Sequence, residues 1–191
     1  MRPSRREFLK AGGLALAGLG IGPLRGMRLG ALVGPEVIEM RSDPLGARAW
    51  FDPIGLYVEP GTTVRWIVRE NVHTTTAYHP HNDHHSLRIP RTAEPWDSGY
   101  LVNQGDHFDL TFSVPGVYDY YCLPHEAAGM VGRIVVGSSL GPGAEPFDYW
   151  VDAPGTGGWR RVPDAARHTF PSIARILAEH RVHPVGPGGS E

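Results

Sequence analysis

The run His107-Phe108-Asp109-Leu110-Thr111-Phe112-Ser113-Val114 alternates strictly between apolar and polar side chains and is closed by Pro115-Gly116. A period of two places Phe108, Leu110, Phe112 and Val114 on one face of an extended chain, a pattern that a helix cannot bury on a single side. It predicts a half-buried strand in a sheet with one wet face. Val64-Arg65-Trp66-Ile67-Val68-Arg69-Glu70 repeats the signal, with Val64, Trp66 and Val68 opposite Arg65 and Arg69. Ahead of it Leu56-Tyr57-Val58 runs into the turn dipeptide Pro60-Gly61, and Val117 to Tyr121 and Arg133 to Val136 supply further strands. Strands at intervals of 8 to 15 residues between Val37 and Gly137, with Pro-Gly turns and no helical period, predict an antiparallel sandwich.

Beyond Gly137 the chain becomes rich in Gly and Pro, as in Gly141-Pro142-Gly143 and Pro154-Gly155-Thr156-Gly157-Gly158. Ile173, Ile176 and Leu177 then fall at i, i+3 and i+4, which predicts a short amphipathic helix with Pro171 near its start, packed on the domain. The expected organisation is an N-terminal segment 1–34, an all-β domain 35–137, and an extension 138–191 carrying that helix. A length of 191 residues suits one domain with extensions.

The N-terminal segment opens Ser4-Arg5-Arg6-Glu7-Phe8-Leu9-Lys10 and continues as an uncharged stretch from Ala11 to Gly22. That stretch is shorter than the ~20 apolar residues of a membrane span, so it reads as a targeting segment. The twin arginine followed by Phe-Leu-Lys resembles a Tat signal, the route that exports folded proteins. This places the protein in the periplasm or outside the cell, with a membrane tether only if the signal is retained. Removing residues 1–34 takes away six basic residues and one acidic one, leaving 12 basic against 19 acidic side chains and a formal charge of −7. An acidic exported domain is a poor match for nucleic acid or anionic lipid.

The single cysteine, Cys122, rules out an internal disulfide, a thiolate zinc ribbon and an iron–sulfur cluster. Tyr120-Tyr121-Cys122-Leu123-Pro124-His125-Glu126-Ala127-Ala128-Gly129-Met130 instead sets a thiolate, an imidazole and a thioether within nine residues. A tight turn between two strands can bring these three onto one point, and an upstream histidine can complete the set. Two His, one Cys and a weak axial Met are the donors of an electron-transfer copper site. With every position filled by protein, such a site leaves no place for substrate, so no enzymatic activity is expected.

From Pro115 to Val136 the pattern Pro-Gly-Val-Tyr-x-Tyr-Tyr-Cys-x-x-His-x-x-x-x-Met-x-Gly-x-Ile-x-Val resembles the C-terminal ligand segment of the plastocyanin, amicyanin and halocyanin group of cupredoxins. The resemblance covers roughly residues 51–137 and implies a Greek-key β-sandwich holding one type-1 copper ion. It implies the ligands His73, Cys122, His125 and Met130, with the edge of His125 as electron port framed by Leu123 and Pro124, and Met130 tuning the potential. In amicyanin-like chains a strand resembling Trp66 to Glu70 leads into the first ligand histidine, and Trp96-Asp97-Ser98-Gly99 resembles the halocyanin sequence that follows, which favours His73. The rival is His81, in the plastocyanin-like triplet Pro80-His81-Asn82, but Asp83-His84-His85 after it does not continue as a buried strand. Thr74 departs from the family, whose members commonly carry an Asn there, hydrogen-bonded to the Cys loop. It leaves open whether the threonine hydroxyl makes that contact.

His79, His81, His84 and His85 form a second cluster, read as a solvated loop in preference to a weak surface metal site. A multicopper oxidase usually flanks its cysteine with histidines, whereas Tyr121 and Leu123 stand here, and a dinuclear copper centre needs two cysteines. The expected function is therefore an exported carrier, a monomer exchanging electrons with redox partner proteins. Copper storage or delivery is the alternative.

Overall fold

The alternating segments form two sheets in the computed structural model, which describes residues 34–184. The export segment and its cleavage region lie outside the described residues. In chain order the strands are β1 (Glu36–Ser42), β2 (Ala49–Asp52), β3 (Gly55–Val58), β4 (Thr62–Val68), β5 (Thr76–Ala77), β6 (His107–Phe112), β7 (Gly116–Tyr121), β8 (Val131–Val136) and β9 (Arg181–Val182). One sheet has the order β2-β1-β4-β6 and the other β5-β7-β8-β3-β9. The β-sandwich expected from the sequence is what forms. Val64, Trp66 and Val68 are fully buried on β4, while β6 shows exposed His107, Asp109 and Thr111 alternating with its inward residues.

Pairing within the sheets is mixed, not purely antiparallel. β1 runs parallel to β4, and β3 parallel to β8. The chain makes the β1–β2 hairpin, crosses to the second sheet as β3 and returns as β4, and such a crossover brings like-directed strands side by side. β6 stops at Phe112, short of the expected Val114, where its pairing with Thr62 at the start of β4 runs out. Between the sheets Ile38, Met40, Trp66 and Phe112 pack against Leu56, Tyr118, Tyr120 and Ile134 in one apolar cluster. Trp66 anchors it, with the Tyr120 ring edge-on at 5.4 Å and Trp96 at 5.9 Å.

The extension is built into this sandwich. Its described residues include two short α-helices, α1 (Asp164–Thr169), which shows no apolar period in the sequence, and α2 (Ile173–Glu179). Ser172 caps α2, its hydroxyl accepting the Arg175 N–H, so Pro171 stands just outside the helix. Ile176 is fully buried, but Leu177, which follows it and points to a different side of the helix, is 42% exposed. Ile176 and Val182 pack with Ile54, Val117 and Val135, and Val162 and Ala166 pack with Tyr78, Tyr121 and Val131. Gly55 is required beneath α2, because a Cβ there would lie 2.8 Å from Ile176 Cγ1 and 2.9 Å from the Pro171 ring. β9 then adds itself to the free edge of β3. No helix among the described residues is long and apolar enough to cross a membrane.

Candidate metal centre

The candidate donors collect where β7 ends and β8 begins. Cys122 closes β7, a 3-10 turn occupies Leu123–Ala128 with Pro124 in its first positions, and Gly129 ends it in the left-handed region at φ 90°. Backbone hydrogen bonds close the turn on itself. His125 N–H donates to the Cys122 carbonyl at 3.0 Å, Met130 N–H to the His125 carbonyl at 3.1 Å, and Cys122 N–H to the Met130 carbonyl at 3.0 Å. The backbones of all three motif residues are thereby locked together.

His73 reaches this place from the other side. Its backbone exchanges two hydrogen bonds with Leu101, at 3.1 and 2.9 Å, in the segment entering β5. Its Nδ1 lies 3.7 Å from Cys122 Sγ, and His125 Nδ1 lies 3.4 Å from the same sulfur. The donor atoms of His73, Cys122 and His125 all fall within 4.8 Å of one another, and His73 and Cys122 are fully buried. Met130 is also fully buried, in the same apolar cluster as Cys122.

The surroundings set the protonation of these groups. Burial pushes the His73 imidazole down to about 4, aided by the neighbouring His125, and burial lowers His125 as well. Both rings are therefore neutral at neutral pH and keep a lone pair for a metal. Burial holds the free Cys122 thiol up at about 11, opposed by hydrogen bonding from Thr74 and His125. Thr74 makes the contact left open by its departure from asparagine. Its N–H donates to Cys122 Sγ at 3.3 Å and its hydroxyl accepts the Leu123 N–H at 2.8 Å.

The other histidines divide differently from the expected cluster. His81 is exposed and sits against His79, ring centroids 4.6 Å apart, away from the Cys122 donors. His84 is exposed on the same loop, whereas His85 is 1% exposed and bonded to Glu126. The four do not form one surface group, because Glu126 supplies a buried partner that only His85 reaches. Glu126 and Tyr78, which the sequence did not single out, thus belong to the surroundings of the site.

Residues 40–137 match the model of copper binding proteins of the plastocyanin/azurin family. The chain belongs to that family. This cupredoxin is 28% identical over 140 residues to a plastocyanin of Tetradesmus obliquus, covering 70% of this chain and 83% of that one. It is 33% identical over 90 residues to amicyanin of Paracoccus denitrificans, covering 47% of this chain and 60% of that one. Matches to some other plastocyanins span only 37 residues, 24% of their length. Among solved structures a pseudoazurin from Sinorhizobium aligns over 76% of this chain and 94% of its own, at 25% identity and a TM-score of 0.48. The donor chemistry agrees with the family's metal: two neutral imidazoles, a sheltered sulfur and the buried thioether of Met130, whose carbonyl accepts the Cys122 N–H, suit a type-1 copper site. The protein is a blue copper electron-transfer protein of the plastocyanin and amicyanin kind, a carrier and not an enzyme.

Proposed function

We propose that His73, Cys122, His125 and Met130 hold a single copper ion, and that the protein works outside the cytoplasm as a monomeric one-electron carrier between redox proteins. The observation that carries this is the convergence of two imidazole Nδ1 atoms on Cys122 Sγ, one from His73 on a separate segment and one from His125 in a turn whose backbone also fixes Met130. Copper bound there supplies a one-electron Cu(I)/Cu(II) couple.

The rest is done by the polypeptide. Cys122 gives up its Sγ proton on ligation, and the Thr74 N–H is already directed at that sulfur to stabilise the thiolate. The closed turn holds His125 and the backbone pairing with Leu101 holds His73, so that little rearrangement would accompany a change of charge. Water is excluded on three sides, since His73, Cys122 and Met130 are each fully buried. Tyr121, the residue before the cysteine, is sealed beneath Val162 and Ala166 of the extension. His125 alone of the four reaches the surface, flanked by Leu123, which is 40% exposed, and by exposed Pro124. A partner would make its contact there, and the acidic balance of residues 35–191 favours one with a basic face.

Export rests on Arg5-Arg6 and the short apolar stretch behind them, with residues 1–34 as the signal, 35–137 as the copper domain and 138–191 as its extension. The deciding experiment is the visible spectrum of the copper-loaded, oxidised protein. An intense thiolate-to-copper band is expected, and Cys122→Ser abolishes it; a colourless copper-loaded protein overturns the assignment. Voltammetry then separates carrier from storage protein, for which no reversible one-electron wave would be seen.

A further inference from the structure

Glu126 directly follows His125 in the 3-10 turn and is the acidic residue of its first turn. Leu123, Pro124, Ala127 and Ala128 face solvent, but Glu126 turns inward and retains 6% of its exposure. A carboxylate withdrawn from water is strongly disfavoured unless its oxygens are paired. Here both are. The Tyr78 hydroxyl donates to Oε1 at 2.8 Å, and His85 Nε2 lies 3.0 Å from each carboxylate oxygen.

Both partners are themselves fixed and come from a separate part of the chain. Tyr78 N–H donates to the Asp119 carbonyl on β7 at 3.1 Å, and the Tyr78 carbonyl accepts Arg88 N–H at 2.9 Å. His85 Nδ1 lies 3.0 Å from the Asn82 carbonyl oxygen, and its ring stacks on Tyr121 with centroids 4.5 Å apart. Tyr78, His85 and Tyr121 are each at most 1% exposed. On the other side of the tether, Glu126 shares peptide bonds with His125 and Ala127, and its carbonyl accepts the Gly129 N–H at 2.9 Å. Fixing its side chain therefore orients the peptides on either side of it and the return of the chain to Met130. An apolar residue would fill the same pocket without the desolvation cost, but it would not select one orientation as a fully paired carboxylate does.

We propose that Glu126, gripped by Tyr78 and His85, is a positioning residue for the metal ligands, a buried tether that sets where His125 and Met130 stand before copper arrives. This rests on the assignment of those residues as ligands. The test compares wild type with Glu126→Ala, Glu126→Gln, His85→Gln and Tyr78→Phe. Three measurements are made: hydrogen exchange of amides 123–130 in the metal-free protein, Cu(I) affinity by competition with a chromophoric chelator, and the thiolate–copper band.

Glu126→Ala is expected to speed exchange within the turn, to weaken Cu(I) binding by about 10- to 100-fold and to shift the band. Glu126→Gln restores most of this, and His85→Gln and Tyr78→Phe show smaller changes in the same direction. Variants that only lower the melting temperature, with turn exchange, affinity and band as in wild type, overturn the proposal. If Glu126→Ala does not fold, His85→Gln and Tyr78→Phe decide, and unchanged exchange and affinity in both overturn it equally. If wild type itself binds copper without the band, the ligand assignment fails, while the metal-free exchange comparison still decides whether the tether orders the turn.

Discussion

Two cross-strand Arg–Asp pairs, one on the outer face of each sheet, show how differently the two sides of this sandwich are made. Arg65 on β4 faces Asp109 on β6 and binds it through two hydrogen bonds of 2.7 and 2.6 Å, both side chains more than a third exposed. Arg133 on β8 faces Asp119 on β7 in the same manner, yet Asp119 is wholly buried and Arg133 is 8% exposed. A second arginine, Arg88, joins Asp119 at 2.7 Å. The two guanidiniums then spend their remaining donors on the carbonyls of Gly143 and Pro171 in the extension. The same residue types thus serve as a solvent-shared surface pair on one sheet and as the fastening for a covering layer on the other.

Removing the aspartate from each pair should give very unequal results. Asp119→Ala leaves two buried guanidiniums without a counter-charge, which costs on the order of 3–5 kcal/mol and appears as a lowered denaturant midpoint. Asp109→Ala should change that midpoint little, because exposed pairs contribute little. Equal losses at the two sites would mean that burial adds nothing to the inner pair. A smaller effect is expected from Gly143→Ala, whose new Cβ would stand 2.6 Å from the Val117 carbonyl oxygen and 2.7 Å from that of Arg88. Backbone on both sides forces the extension to lift, at roughly 1–3 kcal/mol, measured as a fall in melting temperature. A wild-type melting temperature would mean that the layer is looser than its contacts imply.

The smallest effect concerns pH. Hydrogen bonding from Arg65 holds the Asp109 carboxyl below its ordinary value. Its contribution to stability is present above the ordinary carboxylate range and is lost as pH falls through the lowered folded value. Arg65→Gln should therefore flatten the acid limb of stability against pH slightly, as followed by urea midpoints. An acid limb as steep as in wild type would assign the acid sensitivity to other carboxylates.

The contrast also explains what the sequence could disclose. β4 and β6 alternate because one face of their sheet meets water, and those strands are legible residue by residue. All six residues of β7 and all six of β8 are buried, so nothing in their local pattern tells which face the extension covers. Cys122, His125 and Met130 are legible because one turn sets their spacing, and His73 because a patterned strand runs toward it. His85 reads as a surface histidine until Glu126 is placed beside it, 41 residues away in the chain. Glu126 itself sits among residues typical of an exposed turn. α1 escapes notice because Asp164 to Thr169 has a single fully buried side chain, Ala166.

β9 carries a consequence for the order of events during synthesis. It closes the edge of β3 with Gly55 opposite Val182 and Leu56 opposite Arg181, and the Ile54 N–H donates to the Val182 carbonyl at 2.9 Å. A ribosome delivers β3 long before β9, and until residue 182 has emerged that edge offers unpaired backbone groups to any neighbouring chain. The nascent protein thus passes through an interval in which most of the sandwich exists but one side of it is sticky. Chaperone capture or aggregation should concentrate in that interval, and it ends when the last described strand is laid down.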